Sequence, residues 1–287
     1  MRISLIIPTH NSFSEKRGSL DLTLRSLSQQ NLGEYEAEVV VVDNGSDDRT
    51  RDVLALWATS IAPWPLSITS CPQVGAKARA RNVGVSVSSG DIIFFMDDDI
   101  LLPKATTVRQ AIDMLVPRGF VCGVKRLWTY IGWDQARVAR ELDARCYDYA
   151  LGISDLPNGI DRDSGYKSLL HVSFLAHFGC LERSLFEKVD GFDESYIGWG
   201  RHDCDLMYRL LVAAGAEFVN AYECGPIIHL NHPVKNRTIH LPANEERYSS
   251  LERKYGLTLR YSHLFGIQEH DDPRILVPHE TPDHMHG

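Results

Sequence analysis

The sequence predicts an α/β fold in which a mostly parallel, doubly wound sheet is flanked by helices. Short runs dominated by apolar and β-branched residues, typical of strands buried on both faces, occupy positions 3–7, 39–43 and 92–96. Polar loops and segments with apolar residues at helical spacing separate these runs. Strands that alternate with helices form parallel sheets with right-handed crossovers, so this part of the chain is expected to resemble a nucleotide-binding half.

The first two units of strand and helix are recognisable in order. The first strand stops at Pro8, and a polar loop leads to a helix for which Ser19 can act as the N-cap. The second strand ends in Asp43 and is followed by the turn-forming residues 44–46. Positions 48–58 then carry apolar residues at helical spacing. The pattern of strand, polar loop and helix therefore occurs twice.

The third unit leads to an acidic strand end. Residues 66–69 can form a short strand, and Gly75 opens a basic helix that closes near Gly90. The strand at 92–96 follows and ends in three consecutive aspartates at 97–99. Three carboxylates together repel one another unless a cation holds them, and in open α/β sheets ligands bind at the carboxyl ends of the strands. A hard divalent cation on phosphate oxygens fits this chemistry, whereas an acidic turn or helix cap explains one aspartate better than three.

Periodicity is weaker after Pro103. The patterns predict helices at 105–116, 182–189, 203–211 and 243–255, and strands at 120–124, 216–221 and 226–230. An aromatic-rich stretch at 127–169 can either stack on sugar rings or belong to the core. No internal repeat and no linker marks a domain boundary in this region.

Composition narrows the classes of partner. A net charge of −8 and a pI near 5.8 argue against nonspecific binding to nucleic acid or to anionic membranes. The 6 cysteines form no C-x-x-C pair, which indicates free thiols in a reducing compartment. Neither a signal peptide nor a transmembrane segment is evident, so the expected location is cytoplasmic, with peripheral contact at the inner membrane face as an alternative.

A second group of candidate residues lies beyond position 190. Asp203 and Asp205 fall in the first turn of a predicted helix, where carboxylates are also explained by the helix dipole. That explanation does not account for Trp199 and His202, which lie in the same loop. His229 follows an apolar run and is the best candidate for an imidazole ligand to a metal.

Five segments together resemble the family 2 glycosyltransferases of the GT-A fold. They occur in the family's order and spacing as IIPTHN, VVVVDNGSDDRT, GAKARARNVG, FFMDDDILLP and GFDESYIGWGRHDCDL. The last segment also resembles the W-G-G-E-D loop of β-1,4-galactosyltransferases. The resemblance covers about residues 3–232 and implies a metal-dependent, inverting enzyme that moves a sugar from a nucleotide-sugar, with UDP as the expected nucleotide, to a hydroxyl acceptor.

The resemblance also implies roles for individual residues. The nucleotide-sugar would contact Pro8, Thr9, Asn11, Asp43, Arg81, Asp97 and Asp98. Mn²⁺ or Mg²⁺ would be held by Asp97, Asp99 and His229. Asp203 would be the catalytic base, and Trp199, Gly200 and His202 would contact the acceptor or donor sugar. We therefore expect a single domain at 1–265, divided into a nucleotide-binding half (1–103) and an acceptor-binding half (104–265), and a loose tail at 266–287.

One departure from the family's pattern leaves alternatives open. Arg201 and His202 stand where relatives have Gly-Glu before the base, so His202 could itself be the base. A nucleotidyltransferase that makes nucleotide-sugars is a second possibility, although the loop after the first strand lacks the glycine run that such an enzyme needs. A carbohydrate-binding protein that has kept the fold without the chemistry is a third.

Overall fold

The computed structural model describes residues 1–59, 64–71, 76–129, 132–143, 172–198, 200–232, 242–265 and 274–279. The strands are β1 (Arg2–Thr9), β2 (Glu36–Asp43), β3 (Leu66–Ser70), β4 (Ile92–Met96), β5 (Ile100–Leu101), β6 (Gly119–Cys122), β7 (Arg126–Trp128), β8 (Phe178–Glu182), β9 (Glu217–Asn220), β10 (Ile227–His229), β11 (Leu257–Leu259) and β12 (Leu276–Pro278). The helices are α1 (Ser19–Ser28), α2 (Thr50–Thr59), α3 (Lys77–Ser86), α4 (Thr107–Asp113), α5 (Gln135–Asp143), α6 (Arg183–Lys188), α7 (His202–Tyr208), α8 (Pro242–Tyr255) and α9 (Tyr261–Leu264). A π-helical segment, Arg209–Ala213, continues α7.

The central sheet has seven strands in the order β3-β2-β1-β4-β8-β6-β9. The first four of these are mutually parallel, β8 is antiparallel to both of its neighbours, and β9 is parallel to β6. The predicted fold class, a mostly parallel sheet flanked by helices, is therefore confirmed. The carboxyl ends of β1, β2 and β4 meet at one edge of the sheet, as parallel pairing requires.

Successive side chains of the central strands enter two different apolar layers. Leu5 and Phe94 belong to the layer that α1 and α4 cover, whereas Ile6 and Phe95 belong to the layer that contacts α6 and α7. All four are completely buried. Because both faces of these strands are covered, their sequences are continuously apolar and show no alternation of polar and apolar residues.

Helix α3 lies directly on the sheet at Gly84. A Cβ atom at this position would come within 2.4 Å of Cγ2 of Ile6 and within 3.0 Å of Cγ2 of Val42. Such contacts are much shorter than van der Waals separation, so a larger residue would push the helix away from β1 and β2. The close approach matters for the site because α3 also carries Arg81.

A second, three-stranded sheet in the order β5-β10-β7 joins distant parts of the chain. His229 of β10 pairs with Ile100 of β5, which follows the three aspartates directly. On its other side β10 is parallel to β7, where His229 pairs with Trp128. This small sheet therefore fixes His229 beside the acidic end of β4.

Several local predictions differ from the structure. Helix α1 begins at Ser19, and the residue before it, Gly18, occupies the N-cap position with a φ of +78°. The backbone N–H of Leu20 donates instead to Oγ of Ser12, at 2.8 Å. Within the segment 266–287, β12 pairs antiparallel with β11.

The aromatic-rich stretch at 127–169 can be compared with the structure only in part, because it lies partly outside the described residues. Its described tryptophans, Trp128 and Trp133, are buried, and Nε1 of Trp133 donates to the Asn231 carbonyl at 2.7 Å. Trp133 is therefore a core residue.

The described cysteines are buried free thiols, whereas Cys146 lies outside the described residues. Within the described ranges, no helix combines the length and the apolar character needed to cross a lipid bilayer.

Candidate active site

The loops that follow β1 and β2 are joined to each other at the carboxyl edge of the sheet. The backbone N–H of Asn11 donates to Oγ of Ser46 at 3.0 Å, and its side-chain Oδ1 accepts from the N–H of Asp47 at 2.9 Å. Asp43 Oδ1 accepts from the N–H of Ser46 at 2.9 Å, and Oδ2 accepts from Nε of Arg51 at 3.0 Å. The buried Asn11 and Asp43 are thus held in fixed orientations at the predicted nucleotide site.

The three aspartates after β4 have three different sets of partners. Asp97 Oδ1 accepts from Nη2 of Arg81 at 2.7 Å. Asp98 Oδ2 accepts from Oγ1 of Thr9, which follows Pro8 in β1, at 2.6 Å. Asp98 Oδ1 also accepts a short hydrogen bond from Nζ of Lys16, and the same Nζ lies 2.9 Å from Asp99 Oδ2. Consecutive side chains point in different directions, so neighbouring carboxylates reach different parts of the site.

Asp99, His229 and His232 form a group that could hold a metal ion, with one ligand atom from each residue lying within 4.8 Å of the others. Nε2 of His229 is 3.5 Å from Asp99 Oδ1, and Nε2 of His232 is 3.3 Å from Asp99 Oδ2. Asp99 Oδ1 is buried and makes no hydrogen bond within the described part of the chain. Ligands that share one ion at about 2.0–2.2 Å each lie roughly this far apart, so the residues fit a cation.

The imidazole of His229 is in the neutral protonation state, which is the state that binds metals. Its ring lies 4.1 Å from the Trp128 ring, centroid to centroid, and is largely enclosed. Burial lowers the pKa of His229 to about 3, although Asp99 opposes the shift. The imidazole is therefore neutral at pH 7 with a lone pair available, as metal binding requires.

The second carboxylate site is at the start of α7. Asp203 is buried, and its Oδ2 lies 3.4 Å from Nε2 of His177 and 3.5 Å from Nε2 of His202. Asp203 Oδ1 has no hydrogen-bond partner among the described residues. Burial raises the pKa of Asp203, but the adjoining His202 and His177 outweigh it, so the pKa lies below the usual carboxyl value. The carboxylate is ionised at neutral pH and has an oxygen free to accept a proton.

The two imidazoles beside Asp203 are different tautomers. Nη1 of Arg126 lies 3.3 Å from Nδ1 of His177, and Nη1 of Arg81 lies 3.2 Å from Nε2 of His202. A guanidinium can only donate, so these two ring nitrogens are acceptors. The ring proton of neutral His177 is therefore on Nε2, which faces Asp203, whereas that of neutral His202 is on Nδ1.

Arg81 links the two parts of the site. It is 1% exposed, and its Nη atoms contact Asp97 at the end of β4 and His202 at the start of α7. Burial alone raises the pKa of Asp97, but Arg81 holds it down to about 2. Burial lowers the pKa of His202 to about 4. The two Nη atoms of Arg81 are thus engaged within the protein and join Asp97 to His202.

Backbone geometry in the loop before α7 fixes the position of Asp203. Gly200 has a φ of +103°, and its carbonyl accepts from Nδ2 of Asn244 at 3.3 Å. The left-handed Arg201 directs its guanidinium away from Asp203 to Glu245 of α8, with Nε 2.9 Å from Oε2. Arg201, which departs from the family's pattern, therefore attaches the loop to α8. Trp199 lies outside the described residues.

Most predicted site residues come together, and the structure adds others. Thr9, Asp43, Asp98, Asp99, Arg81, His202, Asp203 and His229 occupy the carboxyl edge of the sheet or the loop that faces it. The predicted metal ligand Asp97 is paired with Arg81 and is not among the described residues grouped for a metal. The third member of that group is His232, and its spacing of three residues from His229 at a strand end could have indicated it. Lys16, Arg126 and His177 carried no signal that sequence reasoning could use.

Two family models match the chain in adjoining segments. The model described as "Glycosyl transferase family 2" matches residues 4–177. The model described as "N-terminal domain of galactosyltransferase" matches residues 175–233. The first match covers more than half of the chain, and the second covers the loop with Asp203 and the strand with His229.

Curated relatives are glycosyltransferases by name. The chain is 30% identical over 230 residues to the validoxylamine A glucosyltransferase of Streptomyces hygroscopicus subsp. limoneus, covering 72% of this chain and 47% of the relative. It is 28% identical over 248 residues to the uncharacterized glycosyltransferase YfnE of Bacillus subtilis, covering 73% of this chain and 60% of that protein. The chain thus spans about half the length of the curated relatives that it matches.

A solved structure has the same fold. The mannosyltransferase PcManGT from Pyrobaculum calidifontis, solved in complex with GDP-Man and Mn²⁺, aligns with a TM-score of 0.55 at 21% identity, covering 86% of this chain and 61% of that one. At this identity the likeness concerns the fold, which is GT-A, as the resemblance implied. The match of the family model over residues 4–177 establishes that the chain belongs to glycosyl transferase family 2.

Proposed function

We propose that this protein is a metal-dependent, inverting glycosyltransferase that moves a sugar from a nucleotide-sugar to a hydroxyl group of an acceptor. The proposal rests on one observation: a possible cation site and an ionised carboxylate, Asp203, both lie at the carboxyl edge of the sheet or in the segment that faces it. A group able to hold a cation, Asp99 with His229 and His232, adjoins the carboxyl edge of the sheet. The ionised Asp203 belongs to the loop that Arg81 links to that edge.

The cation would be held by Asp99, His229 and His232. Two imidazole nitrogens beside one carboxylate favour Mn²⁺ over Mg²⁺, since Mg²⁺ prefers oxygen ligands and keeps several waters. A bound cation supplies electrostatic stabilisation of the negative charge that develops on the departing diphosphate. The mannosyltransferase solved with Mn²⁺ supports this assignment by its similar fold.

The nucleotide would lie across the ends of β1, β2 and β4. We assign its contacts to Pro8, Thr9, Asn11, Asp43, Asp97 and Asp98, with Arg81 acting through Asp97. The hydrogen bonds of Asn11 and Asp43 within the protein orient these side chains before the donor arrives, which reduces the entropy lost on binding. UDP is the nucleotide we propose, and GDP is the competitor to compare with it.

Asp203 is the proposed base. Its free Oδ1 accepts the proton of the acceptor hydroxyl while that oxygen bonds to the anomeric carbon and the bond from carbon to the diphosphate oxygen breaks. One displacement on the face opposite the leaving group inverts the configuration. His202 is a poorer candidate because its Nε2 already accepts a hydrogen bond from Arg81.

The direct test is incubation of the purified chain with UDP-glucose, UDP-galactose, UDP-N-acetylglucosamine and GDP-mannose, each with Mn²⁺ and with chelator. Release of the nucleoside diphosphate that requires Mn²⁺ and is absent from Asp203→Asn supports the proposal. Chemistry that depends on pyrophosphate would indicate a nucleotidyltransferase instead. Binding of a nucleotide-sugar without turnover, in the presence of varied acceptors, would indicate the carbohydrate-binding alternative.

A further inference from the structure

Lys16 lies inside the acidic cluster, although it comes from the loop between β1 and α1. Its side chain is 14% exposed, and its ammonium forms ion pairs with both Asp98 and Asp99. Burying an ammonium is costly unless it is paired, and here two almost fully buried carboxylates pair with it. The ammonium therefore neutralises part of the cluster's charge within the protein.

Asp99, one of the two carboxylates paired with Lys16, also belongs to the group that could hold a metal. Asp99 Oδ2 contacts Lys16 at 2.9 Å, whereas its Oδ1 makes no hydrogen bond among the described residues and lies 3.5 Å from Nε2 of His229. A divalent ion on Asp99 would thus be close to the Lys16 ammonium. Two positive charges on one buried carboxylate repel each other strongly, because little water is present to screen them.

The three aspartates at 97–99 form ion pairs with two different cations. Arg81 forms an ion pair with Asp97. Among the described lysines and arginines, Lys16 is the one that forms ion pairs with the two remaining aspartates. A divalent ion added to this arrangement produces an excess of positive charge. The diphosphate of a nucleotide-sugar would neutralise that excess, whereas water would not.

We propose that Lys16 is a built-in counter-cation that weakens the binding of a free divalent ion at Asp99, His229 and His232, so that the ion binds firmly only together with a nucleoside diphosphate. This inference rests on the proposed function. It assigns to Lys16 a positioning role in which the ammonium keeps Asp98 and Asp99 together before the donor arrives. Lys16 also sets the order of loading, with metal and diphosphate entering as a pair.

The experiment measures Mn²⁺ binding without any turnover. Free Mn²⁺ gives an electron paramagnetic resonance signal that disappears when the ion binds, so Kd can be measured for Mn²⁺ alone and with saturating UDP or GDP. In the wild type we expect weak binding alone and binding at least tenfold tighter with nucleotide. In Lys16→Met we expect Mn²⁺ alone to bind at least tenfold tighter than to the wild type, and the gain from nucleotide to shrink.

Lys16→Arg, which keeps the charge, is the matched control and is expected to bind Mn²⁺ like the wild type. If Lys16→Met does not fold, Lys16→Gln replaces it. Asp98→Asn is expected to change the affinity for Mn²⁺ in the opposite direction. Removing the Asp98 charge leaves Lys16 to act on Asp99 alone, so Mn²⁺ alone should bind more weakly.

Three results would overturn the inference. Unchanged or weaker binding of Mn²⁺ alone to the neutral Lys16 variants would exclude the counter-cation role. Weaker binding of metal-free UDP or GDP to Lys16→Met, with Mn²⁺ affinity unchanged, would mean that Lys16 contacts the diphosphate directly. A wild type that binds no Mn²⁺ even with nucleotide would refute the metal dependence of the proposed function itself, a result distinct from the other two.

Discussion

Oδ2 of Asp203 lies 3.4 Å from Nε2 of His177, while Oδ1 of the same buried carboxylate has no hydrogen-bond partner in the described part of the chain. One oxygen is thus close to an imidazole and the other is free. A carboxylate arranged in this way keeps a fixed orientation and still has a lone pair with which to accept a proton.

Replacing Asp203 by Asn should remove transfer without removing donor binding. The amide has nearly the same shape but cannot accept a proton as a carboxylate does, and general bases contribute about 10²- to 10⁴-fold. Product formation and calorimetric binding of the nucleotide-sugar measure the two effects separately. Asp193→Asn is the control, since the exposed side chain of Asp193 accepts a local hydrogen bond from the Ser195 N–H, which an amide oxygen can also accept. Full activity of Asp203→Asn would refute its assignment as the base.

His232→Ala should remove most of the stabilisation of the protein by Mn²⁺. A ligand that binds only the native state at 100 times its Kd stabilises that state by about 2.7 kcal/mol, so the wild type should melt at a higher temperature with Mn²⁺ and nucleotide. Loss of one of three protein ligands should eliminate most of that increase. His279→Ala is the control, because His279 contacts Thr258, far along the chain from the group of Asp99. An unchanged increase in His232→Ala would exclude His232 as a ligand.

Arg81→Met should destabilise the fold by about 3–5 kcal/mol, the usual cost of leaving a buried charge without its partner. Asp97 loses the guanidinium that holds its pKa near 2, and His202 loses a donor. Denaturation by urea measures the change in the free energy of unfolding. Arg79→Met in the same helix is the matched control, with a half-exposed side chain and an ion pair to Glu194 of 3.8 Å, and it should cost under about 1 kcal/mol. Equal effects of the two substitutions would contradict the role given to Arg81.

Stability should fall as the pH is lowered from about 6.5 towards 4, and His202 should account for part of the loss. Burial lowers the folded-state pKa of His202 from 6.5 to about 4. Between these values the unfolded chain binds a proton that the native state does not, so acid favours unfolding. His202→Gln keeps an acceptor for Arg81 and cannot titrate. Urea midpoints measured at pH 7, 6 and 5 should therefore decline less in His202→Gln than in the wild type, and parallel declines would refute the prediction.

Sequence reasoning located the carboxyl edge of the sheet because local patterns encode it. Continuous apolar runs mark β1, β2 and β4, and Thr9, Asp43 and Asp97 stand at their ends. Parallel pairing then requires those ends to meet. The same reasoning found His229, since it follows an apolar run, but could not show that β10 pairs with β5 and so places this imidazole beside Asp99.

The remaining site residues depend on contacts between distant segments, which no local period encodes. Lys16 lies in a polar loop and has the appearance of a solvent-exposed lysine until Asp98 and Asp99 are placed beside it. His177 lies between apolar residues and contacts Asp203 only through the tertiary fold. The sequence also does not distinguish the partners of Asp97 and Asp99, because consecutive aspartates look equivalent in sequence and differ only in the direction that each side chain takes.

The antiparallel strand β8 has a consequence for how the chain can be divided. It lies between β4 and β6, so β4 of the predicted nucleotide-binding half pairs with a segment that follows it by about eighty residues. A fragment that ended at residue 103 would leave β4, with its fully buried Phe94 and Phe95, as an open edge strand. Unpaired apolar edges recruit other chains and aggregate. Residues 1–103 are therefore not expected to fold independently, and their expression alone should give insoluble protein.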